Sequence, residues 1–423
     1  MIRHNSDEHF LDSIEGLLWQ SMRIFFSVGE PSGDLHGANL IRALQAKYPN
    51  VQCVGYGGPR MAEAGFELHF DLTRLAVMLL VRVIWNIRTF FSLIRRANRY
   101  FAEHTVDAVV LIDYPGMNWW IARQAKKHDI PVFYYGVPQI WAWAGWRIRK
   151  MRRLIDYALC KLPFEADWYQ QRGCRATYVG HPYFDQLAEQ TLDVDFMEQV
   201  ASDNRRLVTI LPGSRRQEVT GQLPGLLKAA ELIAHQVPEV RFAIASLNEQ
   251  QAELAREVLG DSDLDVEIYT GQTQELIQQA HCCLACSGSV SLELMYYNTP
   301  SVIYYRVGRF TYVVGRSLAN VNYITLVNLM AVERPFQDSP VDEGVTEAGD
   351  ETLPFPEYLT CRDRSEQLAQ HVVGWLTNEQ SHQLSVNRLR ELSEQFVHSG
   401  ASHRAAAFIL EKLLDRTSQQ QAA

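Results

Sequence analysis

Three turns in this chain set small residues and backbone donors beside a charged side chain, a combination suited to anions. Gly29-Glu30-Pro31-Ser32-Gly33-Asp34 joins an apolar run, Arg23 to Val28, to a helical pattern beginning at Leu35. A helix start leaves backbone N–H groups without internal partners, and Ser32 and Asp34 add a hydroxyl and a carboxylate; capping the helix would use the same residues. Pro212-Gly213-Ser214-Arg215 follows the run Leu207 to Leu211. Its Gly-Ser turn offers donors at the positive end of a helix and Arg215 can fork two phosphate oxygens, while a tight turn with a surface arginine is the bland alternative. Ser287-Gly288-Ser289 precedes a helix that carries Glu293 one turn inside. That pattern can cradle a diphosphate and grip ribose hydroxyls, or cap a helix with Glu293 near the dipole's positive end.

Two single residues join them. Asp113 ends the apolar run Ala108 to Ile112 and precedes Pro115-Gly116. A partly desolvated carboxylate there suits a general base, although a turn before Pro-Gly favours aspartate without any function. His181, between Gly180 and Pro182, reads first as a cap on a linker and second as a cleft residue.

Other patterns carry less. Gly55-Tyr56-Gly57-Gly58 lacks the third glycine of a dinucleotide fingerprint, and no lysine follows Gly213 as in a P-loop. Cys283 and Cys286 form one Cys-x-x-Cys pair inside an apolar run, where a closed zinc site would want four ligands. The Asp-x-Asp pairs at 193/195, 261/263 and 263/265 lie in polar connections. No metal and no resident cofactor are expected.

The elements that position these residues repeat one theme. Apolar runs at 23–28, 51–54, 107–112 and 131–135 alternate with helical stretches, and a second series at 207–211, 241–245, 266–269, 282–285 and 301–305 does the same. Such alternation implies right-handed crossovers and α/β domains with parallel sheets, their loops gathered at one edge. The 423 residues, 47% hydrophobic and 21% charged, suit two such globular domains and exclude disordered or fibrous classes. The expected division is an extension over 1–21, a first domain over 22–188 and a second over 204–395, facing each other across a cleft. The second carries an acidic insertion at about 336–356, and a closing helix and tail occupy 396–423.

A net charge of −9 argues against a nucleic-acid coat, and seven scattered cysteines suit reduced thiols. The segment Leu75 to Phe101 is exceptional. It combines Met78, Leu79, Leu80 and Trp85 with Arg82 and Arg88, holds no acid, and is too short in its apolar run to span a bilayer. An interfacial segment attracted to anionic headgroups fits, as does an ordinary domain helix. A second basic run, Arg147 to Arg153, follows Trp141-Ala142-Trp143.

Taken together, the blocks from Met22 onward resemble the lipid-A-disaccharide synthase family. They are Gly29-Glu30-x-Ser32-Gly33-Asp34, Gly58-Pro59-Arg60-Met61, Leu75-Ala76-Val77-Met78, Ile112-Asp113-x-Pro115, Ile140-Trp141-Ala142-Trp143, Leu162-Pro163-Phe164-Glu165, Val179-Gly180-His181-Pro182, Leu211-Pro212-Gly213-Ser214-Arg215 and Ser287-Gly288-x-x-Ser291-Leu292-Glu293. The resemblance implies a GT-B fold of two Rossmann-like domains. It implies an inverting transfer of 2,3-diacylglucosamine from its UDP donor to 2,3-diacylglucosamine 1-phosphate, giving the β-1,6-linked disaccharide of lipid A. It also implies UDP in the second domain with Asn328 near it, Asp113 as base, and Glu30, Ser32, Gly33, Asp34 and His181 toward the acceptor or cleft. A Gram-negative cell, the cytoplasmic face of the inner membrane and a homodimer through the C-terminal regions are further expectations of that kind. Leu79 and Arg82 stand where the family commonly has Gly and Glu, and Gly116 replaces a frequent acid, which concentrates the base role on Asp113.

Overall fold

The computed structural model describes residues 21–74, 87–336 and 353–421. They form two compact units, the first running to Asp185 and resuming at His398, the second being Gln186–Val397.

In the first unit β1 (Met22–Val28), α1 (Pro31–Lys47), β2 (Val51–Gly57), α2 (Pro59–Glu63), β3 (Glu67–Asp71) and α3 (Ile87–Glu103) come first. There follow β4 (Ala108–Ile112), α4 (Pro115–Lys127), β5 (Val132–Tyr135), α5 (Ile140–Trp143), α6 (Ile148–Leu154), β6 (Tyr157–Cys160), α7 (Pro163–Gln171), β7 (Ala176–Tyr178) and α8 (Pro182–Glu189). The sheet order is β3-β2-β1-β4-β5-β6-β7, all parallel. Central strands covered by helices on both faces need continuous apolar runs, and β4, Ala-Val-Val-Leu-Ile, is buried at every position.

The second unit repeats the plan. It contains α9 (Val194–Ala201), β8 (Arg206–Leu211), α10 (Arg216–Gln236), β9 (Val240–Ser246), α11 (Glu249–Leu259), β10 (Val266–Thr270) and α12 (Thr273–Gln279). Next are β11 (Cys282–Cys286), α13 (Val290–Tyr296), β12 (Ser301–Arg306), α14 (Arg309–Leu318), α15 (Leu326–Ala331), β13 (Glu357–Thr360), α16 (Ser365–Thr377) and α17 (Glu379–Phe396). Its parallel order is β10-β9-β8-β11-β12-β13. The Cys-x-x-Cys pair lies within β11, where burial pushes the Cys283 and Cys286 thiols up to about 12 and keeps them protonated. Asp193 is a helix cap, its Oδ1 accepting the Phe196 N–H at 3.0 Å.

The acidic segment needs correction at its far end. Residues 337–352 lie outside the described residues, but Leu353 and Phe355 are buried, so 353–356 belong to the core and lead into β13.

The last helix, α18 (Ala401–Gln421), belongs to the first unit. Ala405, Ala406, Ile409, Leu410 and Leu413 recur at helical spacing and join the core that holds Leu40, Ile41 and Leu44 of α1. Asp185 ties this return: Oδ1 accepts the Gly400 and Ala401 N–H groups at 2.5 and 3.2 Å, and Oδ2 accepts that of Ser402 at 3.0 Å. A buried carboxylate on a helix N-terminus satisfies orphan donors and meets the positive end of the dipole. Asp185→Ala should therefore cost the first unit about 2 to 3 kcal/mol. Denaturant unfolding followed by a probe in that unit checks this, and an unchanged midpoint would show that α18 docks by apolar contact alone.

Candidate active site

In each sheet the strand order reverses direction once, between β1 and β4 and between β8 and β11. Loops leaving those neighbouring strands on opposite sides open a crevice at the carboxyl edge, the usual ligand position in open α/β sheets. The register pairs Val28 with Ile112 in the first sheet and Leu211 with Ala285 in the second. Gly29–Asp34 thus lies beside Asp113, and Gly213–Arg215 beside Ser287–Ser289.

Asp113 and Tyr114 have φ of 46° and 41°, two successive non-glycine residues in the left-handed region. Such strain persists only when neighbours over-determine it. Here the Asp113 carbonyl accepts from Asn118 Nδ2 and from the Tyr134 hydroxyl, both at 2.6 Å, and Asn118 Nδ2 also reaches the Ile112 carbonyl at 3.2 Å. The Tyr114 ring lies against Gly29, where a Cβ would come within 2.4 Å of it. The carboxylate is also fixed. Its Oδ1 meets Lys161 Nζ at 3.3 Å, and its Oδ2 lies 3.4 Å from the position a Cβ on Gly33 would take.

Lys161, which the sequence patterns did not single out, follows the end of β6, while Asp113 follows β4; β5 lies between them. The lysine crosses at Gly136, whose φ of +68° and missing Cβ make room: a Cβ there would sit 3.2 to 3.3 Å from Lys161 Cε, Cδ and Nζ. The backbone of Lys161 is held by Glu165, whose Oε2 accepts its N–H at 3.0 Å while Oε1 accepts Trp141 Nε1–H at 2.9 Å. Burial raises the Glu165 pKa.

The other first-unit candidates divide. Asp34 is buried and its carboxylate accepts the Arg60 and Met61 N–H groups, each at 3.1 Å, capping α2 rather than its own helix. Those bonds make it a brace for the Gly58-Pro59-Arg60-Met61 turn. Glu30 and Ser32 are exposed at the start of α1, and Gly33 is buried against Val28 and Asp113. His181 Nδ1 accepts the Tyr183 N–H at 3.2 Å, the capping geometry. Its pKa falls well below the ordinary value because of burial, then Lys161 and His36. His36, a further residue without a sequence signal, is buried on α1, and its Nδ1 finds no partner among the described residues. Burial brings its pKa down to about 4.

In the second unit the Gly-Ser-Arg turn is internally satisfied. Glu218 Oε2 accepts the Ser214 and Arg215 N–H groups at 2.8 and 3.0 Å, and Oε1 meets Arg215 Nη1 at 2.9 Å. This is a capping box, whose signal was the acid three residues past Arg215. Ser289 and Gly288 are exposed, Ser287 is half-buried, and nothing approaches Gly288 within 4 Å of a Cβ position. Glu293 is buried, its Oε2 accepting Gln274 Nε2 at 3.1 Å. Asn328 is fully buried, with Nδ2 donating to the Phe355 carbonyl at 2.8 Å and Glu357 Oε2 at 2.9 Å, while Oδ1 accepts the Phe355 N–H at 3.1 Å. Both its donors are spent on joining α15 to β13, so it braces the unit from inside.

Met78, Leu79, Leu80, Arg82 and Trp85 lie outside the described residues. Arg88 is exposed at the start of α3, which buries Leu93, Ile94, Ala97 and Phe101 and turns Phe91, Arg95, Arg96 and Arg99 outward. Beside it Trp120 of α4 meets Phe91 with ring centroids 6.1 Å apart, and Arg123 stacks on Trp120 at 4.9 Å. No helix among the described residues is long and apolar enough to cross a membrane.

Comparison with known proteins bears on the family and the fold. A family model for lipid-A-disaccharide synthetase matches residues 24–396. The lipid-A-disaccharide synthase of Trichlorobacter lovleyi is 32% identical over 92% of this chain and 97% of its own length, and that of Geobacter sulfurreducens is 31% identical over 93% and 98%. Among solved structures, a UDP-GlcNAc 2-epimerase from Neisseria meningitidis bound to UDP-GlcNAc is similar with a TM-score of 0.57 at 13% identity, covering 93% of this chain and all (100%) of its own. The calicheamicin glycosyltransferase CalG4 gives 0.56 at 14%, covering 94% and 99%. The solved structures bear on the fold alone.

The buried histidine makes the first unit sensitive to acid. His36 holds its proton only below about 4 in the folded chain against 6.5 otherwise, so the unfolded chain takes the proton first. Stability is whole above pH 6.5 and is lost as pH falls from there toward about 4, by on the order of 3 kcal/mol. Unfolding free energy measured across that window should fall more steeply for the wild type than for His36→Gln. Parallel curves would show that His36 is not buried in its neutral form.

Proposed function

The chain belongs to the lipid-A-disaccharide synthase family and is a UDP-sugar-dependent glycosyltransferase of lipid A biosynthesis with the GT-B fold, and from that premise we propose how its residues divide the work. The donor is UDP-2,3-diacylglucosamine and the acceptor 2,3-diacylglucosamine 1-phosphate. Asp113 takes the proton of the acceptor's 6-hydroxyl as that oxygen attacks the donor's anomeric carbon. The bond to UDP breaks with inversion, its electrons passing to the diphosphate. The observation that carries this reading is the Asp113 carboxylate, held at a strained corner of the first sheet's switch point with one oxygen over Gly33.

In the second unit Arg215 and the donors of the Ser214 and Ser287–Ser289 turns receive the departing UDP. The diphosphate replaces the Glu218 carboxylate on the Ser214 and Arg215 N–H groups, one anion for another on the same donors. Glu293 faces the ribose. Cationic and backbone stabilisation of this kind meets the leaving group's charge without a resident cofactor or metal.

The acylated substrates require work at a lipid surface, and the outer faces of α3 and α4 with the segment 143–153 fit the cytoplasmic leaflet of the inner membrane. Exposed Phe91, Trp120, Trp143 and Trp146 stand there among Arg88, Arg95, Arg123, Arg147 and Arg149. Interfacial aromatics and guanidinium groups suit anionic headgroups.

Incubation with both acylated substrates should yield the acylated disaccharide phosphate by mass. In the same assay Asp113→Asn should lose about 10²- to 10⁴-fold in kcat with folding intact, equivalent to about 3 to 5 kcal/mol. Turnover within about threefold of wild type would remove Asp113 as base. Vesicles containing phosphatidylglycerol should bind the protein at low salt and release it as salt rises, with phosphatidylcholine vesicles binding less. Equal binding to both would remove the electrostatic part of the membrane reading.

A further inference from the structure

Lys161 is a charge with no part in the scheme above, placed where that scheme is most sensitive. Its side chain is 17% exposed and its ammonium lies 3.3 Å from Asp113 Oδ1, on a side chain 19% exposed. A passage and an anchored backbone hold it there. Gly136 gives the lysine chain a passage over the end of β5, Glu165 fixes its backbone N–H, and Trp141 fixes Glu165. The Trp-Ala-Trp and Leu-Pro-Phe-Glu blocks, which otherwise touch no candidate ligand site, thus converge on the placing of one ammonium group.

We propose that Lys161 is a positioning residue for the transfer reaction: by engaging Asp113 Oδ1 it keeps the carboxylate ionised and leaves Oδ2, over Gly33, as the oxygen that receives the acceptor's proton. The inference rests on the reading of Asp113 as the base. The balance is simple. The 6-hydroxyl proton goes to Oδ2 as the new C–O bond forms and the bond to UDP breaks, while Lys161 retains its own proton throughout. A partly buried carboxylate without a cation tends to stay protonated, and a protonated base cannot act.

The groups facing Lys161 agree with an enduring positive charge. Asp113 of the β4 corner, Glu165 of α7 and Glu30 at the start of α1 all favour its ammonium form, and its pKa is raised in spite of burial. His36 of α1 and His181 before α8 also feel it, and burial holds both histidines neutral near pH 7, with Asp185 acting on His36 from α8. Among these groups the lysine is therefore the one cation at neutral pH.

The test compares Lys161→Met, Lys161→Arg and Asp113→Asn, each first shown to unfold at a temperature close to wild type. Steady-state kinetics with both acylated substrates then give kcat, KM and the pH profile. For Lys161→Met the acid limb of kcat/KM should move up by roughly one to three pH units. At pH values below the shifted limb kcat should fall by up to about tenfold for each pH unit the limb moves, recovering as pH rises, with little change in acceptor KM. Lys161→Arg, which keeps the charge, should hold the limb near its wild-type position. The double variant Lys161→Met with Asp113→Asn should lose no more than Asp113→Asn alone, because the lysine acts through the carboxylate.

An unmoved acid limb in Lys161→Met overturns the proposal. So does a rise confined to the KM of the phosphate-bearing acceptor, which would make Lys161 a substrate contact. Full losses that multiply in the double variant overturn it as well. If Asp113→Asn itself keeps wild-type turnover, the base reading fails, a result distinguishable from every outcome in which only the lysine variants behave unexpectedly.

Discussion

The first unit is organised around a backbone corner that L-amino acids resist. Asp113 and Tyr114 both adopt the left-handed conformation, at a cost of order 1 to 3 kcal/mol each unless neighbours compensate. What surrounds them reads as that compensation. Asn118 and Tyr134 hold the Asp113 carbonyl, Gly29 makes way for the Tyr114 ring, and Gly33 lets α1 start close to the carboxylate. The corner aims a carboxylate at the crevice that an unstrained turn would send elsewhere, and the small residues around it are the geometric condition for that aim.

The two switch points solve different problems with the same topology. The first concentrates fixed charge, with a carboxylate and an ammonium in contact and two histidines kept neutral by burial. The second keeps its donors occupied by a carboxylate of its own, Glu218. On the reading proposed above, an anion arriving there would exchange with an internal one, the turn being held in shape beforehand by Glu218. On that reading, selectivity would depend on whether the incoming anion makes more of Arg215 and the Ser287–Ser289 turn than one carboxylate can.

Much of this was legible from patterns, and the failures have a common cause. Apolar runs ending in small-residue turns located the strands, the edge and Asp113, since a parallel sheet forces its ligand loops to one side. Lys161, His36 and Glu218 were missed because each acts across the fold or along one helical turn, toward partners that no local spacing identifies. Lys161 reaches Asp113 over a third strand, and only the register of β4, β5 and β6 brings them together. Asp34 and Asn328, which the resemblance places toward the site, also make bonds that no local spacing announces, Asp34 to the start of α2 and Asn328 to Phe355 and Glu357. A resemblance transfers position and leaves the accounting of donors and acceptors to the structure. The return of α18 to the first unit had no sequence sign beyond an amphipathic face, because Asp185 and the N–H groups it caps are more than 200 residues apart.

The charge arithmetic also acquires a physical form. A chain of net charge −9 carries in α3, α4, α5 and α6 a single acidic residue, Glu103 at the end of α3. The basic side chains there do not all stand free in water. Arg123 lies over Trp120 at 4.9 Å, and Arg147 lies over Trp143 and Trp146 at 4.9 and 5.8 Å. Stacking of this kind shields apolar ring faces without neutralising the guanidinium, so exposed tryptophans are tolerable in water and the charge remains available to an anion. The same pairing suits an interface, where the ring can enter the acyl boundary while its arginine stays with the headgroups. Mean charge is therefore a poor guide to what such a protein approaches, and the local arrangement of cation on ring is the better one.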